Sequence, residues 1–398
     1  MANDVWDIKS NLRIDYYTAG VWTTIQADSY DVSIDRGINV EQGVFARPDV
    51  GTATVSMMKK SLSDLITGPA YKSNMPFRVS YQPAPDTSPS VYYTIFYGFI
   101  QNVAMSYLSD AKKLGITISA VDTTKILCNS RIGTFSVTGP SSNRGFRTII
   151  DALATAVSAV DSRVSLNQIG SASSSTFQHP QTWLEATSGD VLNQLLDAEL
   201  GWCYSQRSGA NQFYMTRGDV DALQATAWSS SNPTVSNVHT SSVNHYCMDS
   251  IDLTYDSDRI VNNVKVQQVG NSETGAPSGT PSADKTVTNS TSISNYGSQV
   301  GTFEIIMDEG SNPHPRMTAW ATAVANAADP KSIGRVSCPA LRRDGKVSNV
   351  ADIEIAYPLQ VEFSDGTNTI QQVSLVTRIN HSITPEHWEV TLDLWKGI

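Results

Sequence analysis

The sequence lacks any run of about 18 apolar residues, the length a transmembrane helix needs, so a soluble chain without a membrane anchor is expected. Cysteine is scarce and scattered. Cys128, Cys203, Cys247 and Cys338 offer no Cys-x-x-Cys pair and no neighbouring His pair, which argues against a zinc site or a disulfide framework. Cys203, in Gly201-Trp-Cys-Tyr, reads as a small core residue. Positive charge is also in deficit: 28 Lys and Arg face 38 Asp and Glu, a net charge of −10. That is the wrong sign for gripping phosphates, because sequence-independent affinity for nucleic acid comes from basic side chains that release counterions. An acidic wall would instead let a polyanion pass without sticking, although an ordinary acidic surface accounts for the charge as well. The start of the chain has neither the basic segment nor the apolar core of a secretory signal, so synthesis in a cytosol is the expectation.

Recognisable catalytic motifs are missing too. There is no Gly-x-Ser-x-Gly elbow, no Gly-x4-Gly-Lys-Ser/Thr loop and no His-Glu-x-x-His. The Gly-Ser-rich stretch around Gly275 and Gly279 lacks the strand-to-helix setting of a phosphate loop. His381 and His387 flank Ser382, Thr384 and Glu386, but a His-x5-His spacing across a turn at Pro385 is not a metal spacing. Asp31 and Asp35 share a strand face, as two glycosidase carboxylates could, yet Arg36-Gly37 marks a strand end and solvated polarity. Trp6, Trp22, Trp183, Trp202, Trp228, Trp320, Trp388 and Trp395 could form a sugar platform, but most lie on predicted strands or helix stripes and read as core or interface. No catalytic, cofactor or metal residue is therefore assigned, and no cofactor or enzyme activity is expected.

What is present is β-structure, repeated. Only 17% of residues are charged, and 25 Gly and 17 Pro punctuate many short strands. Tyr93 to Val103 followed by Leu114 to Asp122 forms one predicted hairpin; Val373 to Ile383 followed by Trp388 to Trp395 forms a second. Both alternate with period two: Ile116, Ile118 and Ala120 in the first, Val390, Leu392 and Leu394 in the second. Two similar strand-built modules in 398 residues suggest pseudo-symmetry within a ring rather than a catalytic cleft. Before the first hairpin, Leu12 to Tyr17, a turn at Ala19-Gly20, and Val21 to Ile25 predict a hairpin. Tyr30 to Asp35, Gly51 to Met57 and Met75 to Tyr81 add strands, the last bounded by Pro83, Pro85 and Pro89. Five or more such strands predict a barrel or sandwich.

The period then changes. Ile150, Leu153, Ala154, Val157 and Val160 recur at helical spacing, and a second helix follows from Ser188, with Ser188 as N-cap and Gly201 as its close. Strands at Trp202 and Gln212 complete a small α/β module. Residues 229–244 and 270–292 are poor in aliphatics, predicting a linker and a mobile loop. From Ser250 strands return, with Ile260 to Val269 and Gly301 to Met307 among them. They are interrupted by one helix, Arg316 to Ala328, whose stripe is Met317, Trp320, Ala321 and Val324, ended by Asp329-Pro330. The fold expectation is mainly β: two antiparallel barrel or sandwich modules at 1–129 and 248–398 around an α/β domain at 130–247.

Tyr30-Asp-Val-Ser-Ile-Asp-Arg-Gly, the stretch from Gly43 to Met57, and Phe96-Tyr-Gly-Phe-Ile resemble the opening of minor tail proteins of long-tailed actinobacterial phages. Ile379 to Leu394 is similar to the last strands of those proteins. The sequence departs from their pattern after Ser56, where Met57-Met-Lys-Lys replaces a polar turn. The resemblance implies a likeness to the trimeric baseplate hub, in which each chain supplies two tail-tube-like barrels and three chains make a six-barrel ring. It further implies a homotrimer at the distal end of a virion tail that adapts sixfold to threefold symmetry. Expected partners are a distal tail or tail-tube protein, other tail-tip proteins and a tape measure protein, with DNA passing through the lumen. The competing readings are a hexameric distal tail protein and a receptor- or carbohydrate-binding module.

Overall fold

In the computed structural model the described residues are 11–41, 45–59, 63–82, 91–109, 112–137, 145–170, 181–229, 232–238, 245–255, 260–268, 283–306, 315–326, 331–341 and 347–396. Alternating apolar residues dictate most of the strands. Lys113–Val121 buries every second residue, with Leu114, Ile116, Ile118 and Ala120 inward, and Trp388–Trp395 does the same with Trp388, Val390 and Leu392. The first hairpin of the chain, Leu12–Thr18 with Val21–Thr24, turns where the sequence puts Ala19-Gly20, both at positive φ (49° and 87°), the combination that matches strand twist in a two-residue turn.

Among the described residues fifteen strands join in one sheet. Starting at Ser29–Glu41, the first half runs Thr52–Lys59, Lys113–Val121, Tyr93–Leu108, Pro76–Tyr81, Leu12–Thr18 and Val21–Thr24. The second half starts at Ser250–Tyr255 and runs Lys331–Pro339, Trp388–Trp395, Thr369–Ile383 and Pro358–Ser364, then the short strands Thr234–Ser236 and His245–Cys247. Five strands thus repeat in one spatial order, the two hairpins occupying equivalent places. The repeat extends to a defect: each hairpin carries a one-residue bulge on its first strand, between Ile100 and Asn102 and between Val376 and Arg378. Just before each bulge the backbone trades hydrogen bonds with the chain ahead, Ile100 with Asn74 and Met75, Val376 with Ala356 and Tyr357. Among the described residues the sheet is open rather than closed into barrels, and the mainly β class with added helices is what the sequence pattern implies.

The α/β part packs Phe146–Val160 and Ser188–Glu199 around a second core of Ile150, Leu153, Val157, Leu192, Leu195 and Trp183. Thr187, not Ser188, caps the second helix by accepting from the Asp190 amide; Ser188 turns inward and donates to the Leu127 carbonyl. The helix closes on Leu200 in the left-handed region (φ 56°) rather than on Gly201, its side chain held in a third apolar core.

That third core differs from the sequence expectation. Asn263–Gln268 and Val300–Ile305, expected in the second β-module, pair parallel with each other, and Ala283–Thr288 completes a separate sheet. Val264 and Val266 pack against Met317, Trp320, Ala321 and Val324 of helix Pro315–Asn326, so the predicted stripe is the buried one. Period-two alternation is identical in either sheet, so it carries no information about which sheet a strand joins. Residues 283–292, expected in a loop, form that strand and the start of helix Ser290–Tyr296; residues 270–282 and Asp329-Pro330 lie outside the described residues, as do Pro83, Pro85 and Pro89.

Ser29–Glu41 runs past Arg36-Gly37, correcting the strand end expected there, and beside Thr369–Ile383 its backbone approaches closely at Gly37. A methyl on Gly37 would lie 2.7 Å from the Thr377 carbonyl oxygen and 2.8 Å from the Arg378 Cβ. Gly37→Ala is expected to lower stability by about 1–3 kcal/mol in urea unfolding, because backbone on both sides must move; a neutral result would show that the junction yields.

Candidate assembly interface

The two halves of the sheet meet where Ser29–Glu41 lies antiparallel to Thr369–Ile383, with Val32 opposite Ile383, Ile34 opposite His381 and Arg36 opposite Ile379. Strand parity sends Val32, Ile34 and Arg36 to the same inward face. Two of these are apolar and belong there; the third is a guanidinium that is only 2% exposed. Its charge is met from three directions. Arg36 donates to the Glu354 carboxylate at 2.8 Å, to the Ser205 carbonyl at 2.9 Å and to the Ile95 carbonyl at 3.4 Å. One side chain therefore ties the first half of the sheet, the α/β part and the second half together.

The network continues outward. Glu354 also accepts from the Arg207 amide at 3.3 Å, and the Arg207 guanidinium reaches Asp352 at 3.1 Å. On the other side lies Asp122, fully buried, whose carboxylate caps helix Thr123–Asn129 by accepting from the Thr124 amide at 3.0 Å. Burial pushes the Asp122 carboxyl up to about 7; the Arg36 guanidinium and hydrogen bonds from Thr124 and the Gly51 backbone oppose that rise. His381, buried opposite Ile34, is driven the other way, down to about 3, first by burial and then by Arg36 and Arg207. Its neutral ring accepts from the Trp388 indole at 3.3 Å. Outside the junction Arg378 bridges Asp35, at 3.1 Å, and Asp49. Burial raises the Asp35 carboxyl despite Arg378.

The residues weighed for chemistry do not converge. His387 sits in the exposed turn beside Glu389 at 3.3 Å, while His381 is buried on the strand before it. Asp31 is exposed and Asp35 belongs to the Arg378 bridge. Among the described residues no cluster of His, Cys, Asp and Glu could hold a metal, and the four cysteines are free thiols. Trp183, Trp202, Trp320, Trp388 and Trp395 are buried; Trp22 is half-buried with the Arg78 guanidinium 4.3 Å from its ring, Trp228 is exposed, and Trp6 lies outside the described residues. Sequence reasoning missed Arg36, Glu354 and Asp122. The one signal available was a charge on the apolar parity of a strand, after Val32 and Ile34.

No family model and no curated protein matches the sequence. Solved structures do match over nearly the whole chain. The 43 kDa tail protein of prophage MuSo2 from Shewanella oneidensis is 13% identical, with 96% of this chain and 98% of that chain covered and a TM-score of 0.56. The fold is similar to that of phage tail proteins. The tail protein from Neisseria meningitidis MC58 is 12% identical over 97% of this chain and 98% of its own, with a TM-score of 0.60. The E. coli c3393 protein, described as a type VI secretion component with structural similarity to T4 phage tail proteins gp27 and gp5, is 7% identical over 97% of this chain and 77% of its own, with a TM-score of 0.50. At these identities the likeness is one of fold.

Two outcomes test the junction. In urea unfolding Arg36→Met is expected to cost roughly 2–4 kcal/mol, because it takes the guanidinium donor from two buried carbonyls and leaves Glu354 to Arg207 and the Ile355 amide, with Glu354→Gln costing less and the pair coupled by more than about 1 kcal/mol in a double-mutant cycle; additive losses would remove Arg36 from its central role. For Asp122 the folded carboxyl holds its proton up to about pH 7, whereas the unfolded one loses it near the ordinary value of 3.8. The folded state thus binds more protons between those values, and stability falls as pH rises through that window. Asp122→Asn is expected to gain on the native chain by about 1 kcal/mol per pH unit between pH 4 and 7 and to run parallel above it; parallel profiles throughout would mean that the carboxyl is not raised.

Proposed function

We propose that the chain is a non-enzymatic structural component of a phage tail tip, a baseplate hub in which three copies form a ring that continues the tail tube. The observation that carries this reading is the five-strand order repeated within one chain, with the bulge at the same place in both copies. Two equivalent modules per chain turn three copies into six equivalent positions, which meet a sixfold tube on one side and leave threefold symmetry on the other. The whole-chain likeness to tail proteins from Shewanella and Neisseria supports it. A net charge of −10 suits a lumen from which DNA leaves without being held.

The partners in this reading are further copies of the chain, the distal tail or tail-tube protein above, and other tail-tip and tape measure proteins; the place is the distal end of the virion tail, after synthesis in the host cytoplasm. A hexameric distal tail ring needs only one module per chain, so the doubling favours three copies. A sugar-binding platform is disfavoured at Trp22, because the Arg78 guanidinium occupies a face of the indole that a sugar ring would need.

Light scattering with averaged electron-microscope images of the purified chain tests the reading. Three copies of 43.1 kDa with six lobes around a hole are expected. A sixfold ring would support the distal-tail alternative, and a compact monomer that ignores tail-tube protein would support a binding module.

A further inference from the structure

The internal repeat is complete except at two edges. In the second half, residues 378–383 lie between Trp388–Trp395 on one side and residues 32–37 on the other. Their counterparts in the first half are fixed by the shared bulge and by the cross-sheet rows. Ser33, Thr54, Ser119 and Asn102 form one row, and Asp252, Arg335, Asp393 and Arg378 form its equivalent. Residues 102–107 therefore correspond to 378–383, and Ser250–Tyr255 corresponds to the start of Ser29–Glu41. Yet 102–107 pair only with Lys113–Val121, and Ser250–Tyr255 pairs only with Lys331–Pro339, among the described residues. Both present an open edge.

These edges carry the wrong side chains for solvent. Tyr107 is 49% exposed where its counterpart Ile383 is 1% exposed, and Leu253 is 48% exposed where its counterpart Ile34 is fully buried. Met105 and Ile251 are half-buried apolar residues in the same two rows. A long apolar strand edge left open is a template for pairing with another chain. Within the chain the matching edges are already joined, so the occupant of the open ones is argued from that junction.

We propose that Ser250–Tyr255 of one copy pairs antiparallel with residues 102–107 of the next, repeating between chains the junction that Ser29–Glu41 and Thr369–Ile383 make within one. The internal register, Val32 opposite Ile383, Ser33 opposite Ser382 and Ile34 opposite His381, transfers by strand parity, which Ser250–Tyr255 keeps because the one-residue shift between Asp252 and Leu253 falls on its partner Lys331–Pro339. It places Ile251 opposite Tyr107, Asp252 opposite Ser106 and Leu253 opposite Met105. Ile251, Leu253, Met105 and Tyr107 then share one face and bury one another, while Asp252 and Ser106 point to the other face. The contact is head to tail, so it leaves the same two edges at the ends of any open chain of copies and is satisfied throughout only in a closed ring. This inference rests on the ring reading above and adds its interface.

The test uses the full chain carrying Ser106→Cys together with Asp252→Cys, a directly opposed pair whose Cβ atoms would lie within disulfide reach. Mild oxidation is expected to give linked dimers and trimers on a non-reducing gel, absent from either single variant. Ala104→Cys with Asp252→Cys, two residues out of register, is expected to link far less; equal linking would overturn the register. Mass is measured alongside. A three-copy assembly that does not link would overturn the edge pairing and leave the ring standing, whereas a chain that stays monomeric would sink both. Leu253→Lys places a charge where the single chain already exposes its side chain, so the circular dichroism should not change while association weakens by about tenfold or more; a trimer of unchanged stability would overturn the proposal.

Discussion

A buried guanidinium must find acceptors for its donors, and at Arg36 those acceptors come from three distant parts of the chain. Ile95 lies on Tyr93–Leu108, Ser205 in the α/β part and Glu354 in the segment before Pro358–Ser364. Removing a charge from water costs several kcal/mol, and only a full set of partners offsets it. That makes the Arg36 site a test of assembly within the chain: the three parts either arrive together or leave a charge stranded. Asp122 and His381 answer to the same field. Arg36 pulls the Asp122 carboxyl back toward its charged form and pushes the His381 ring toward its neutral one, and burial sets the net direction at each.

The same site breaks the symmetry of the repeat. Arg36 lies at the junction between the two halves, and the equivalent row in the second half falls at Tyr255 on an edge with no described strand partner. One junction is thus held by an internal ion pair and a close approach at Gly37, while the counterpart edges carry exposed apolar side chains that the proposed pairing between copies would cover. An interface within a chain forms once, during folding, and can tolerate a buried charge. An interface between copies forms from finished surfaces, where desolvating a charge opposes association and apolar contact favours it. The choice of Tyr107, Met105, Ile251 and Leu253 at the outer edges fits that difference.

Much of the β-structure was legible from alternation. The hairpins at 93–121 and 369–395 and the turn at Ala19-Gly20 stand where period two and turn chemistry place them, and the stripe of Met317, Trp320, Ala321 and Val324 is buried as its spacing requires. A charge beside a glycine ordinarily marks a turn, so the strand passes through Arg36-Gly37 against local expectation, and only the arrival of Ser205 and Glu354 makes that charge tolerable inside. The helix cap moved from Ser188 to Thr187 for a similar reason: Ser188 has a better acceptor in the Leu127 carbonyl, on an element 61 residues away. Such partners are invisible in a local window.

Taken by itself, the sequence determined most of the strands, which of their faces are apolar and that two hairpins repeat, because periodicity and turn preference act over a few residues; the polar strands Thr234–Ser236 and Ala283–Thr288, with few aliphatic residues, carry no such signal. Tertiary structure alone decided which strands share a sheet, why Asn263–Gln268 and Val300–Ile305 leave it for a sheet of their own, and how Arg36, Glu354 and Asp122 come to one place. Pairing between strands hundreds of residues apart depends on edges and registers that a single strand does not encode, and a buried charge is permitted only by neighbours that the fold supplies.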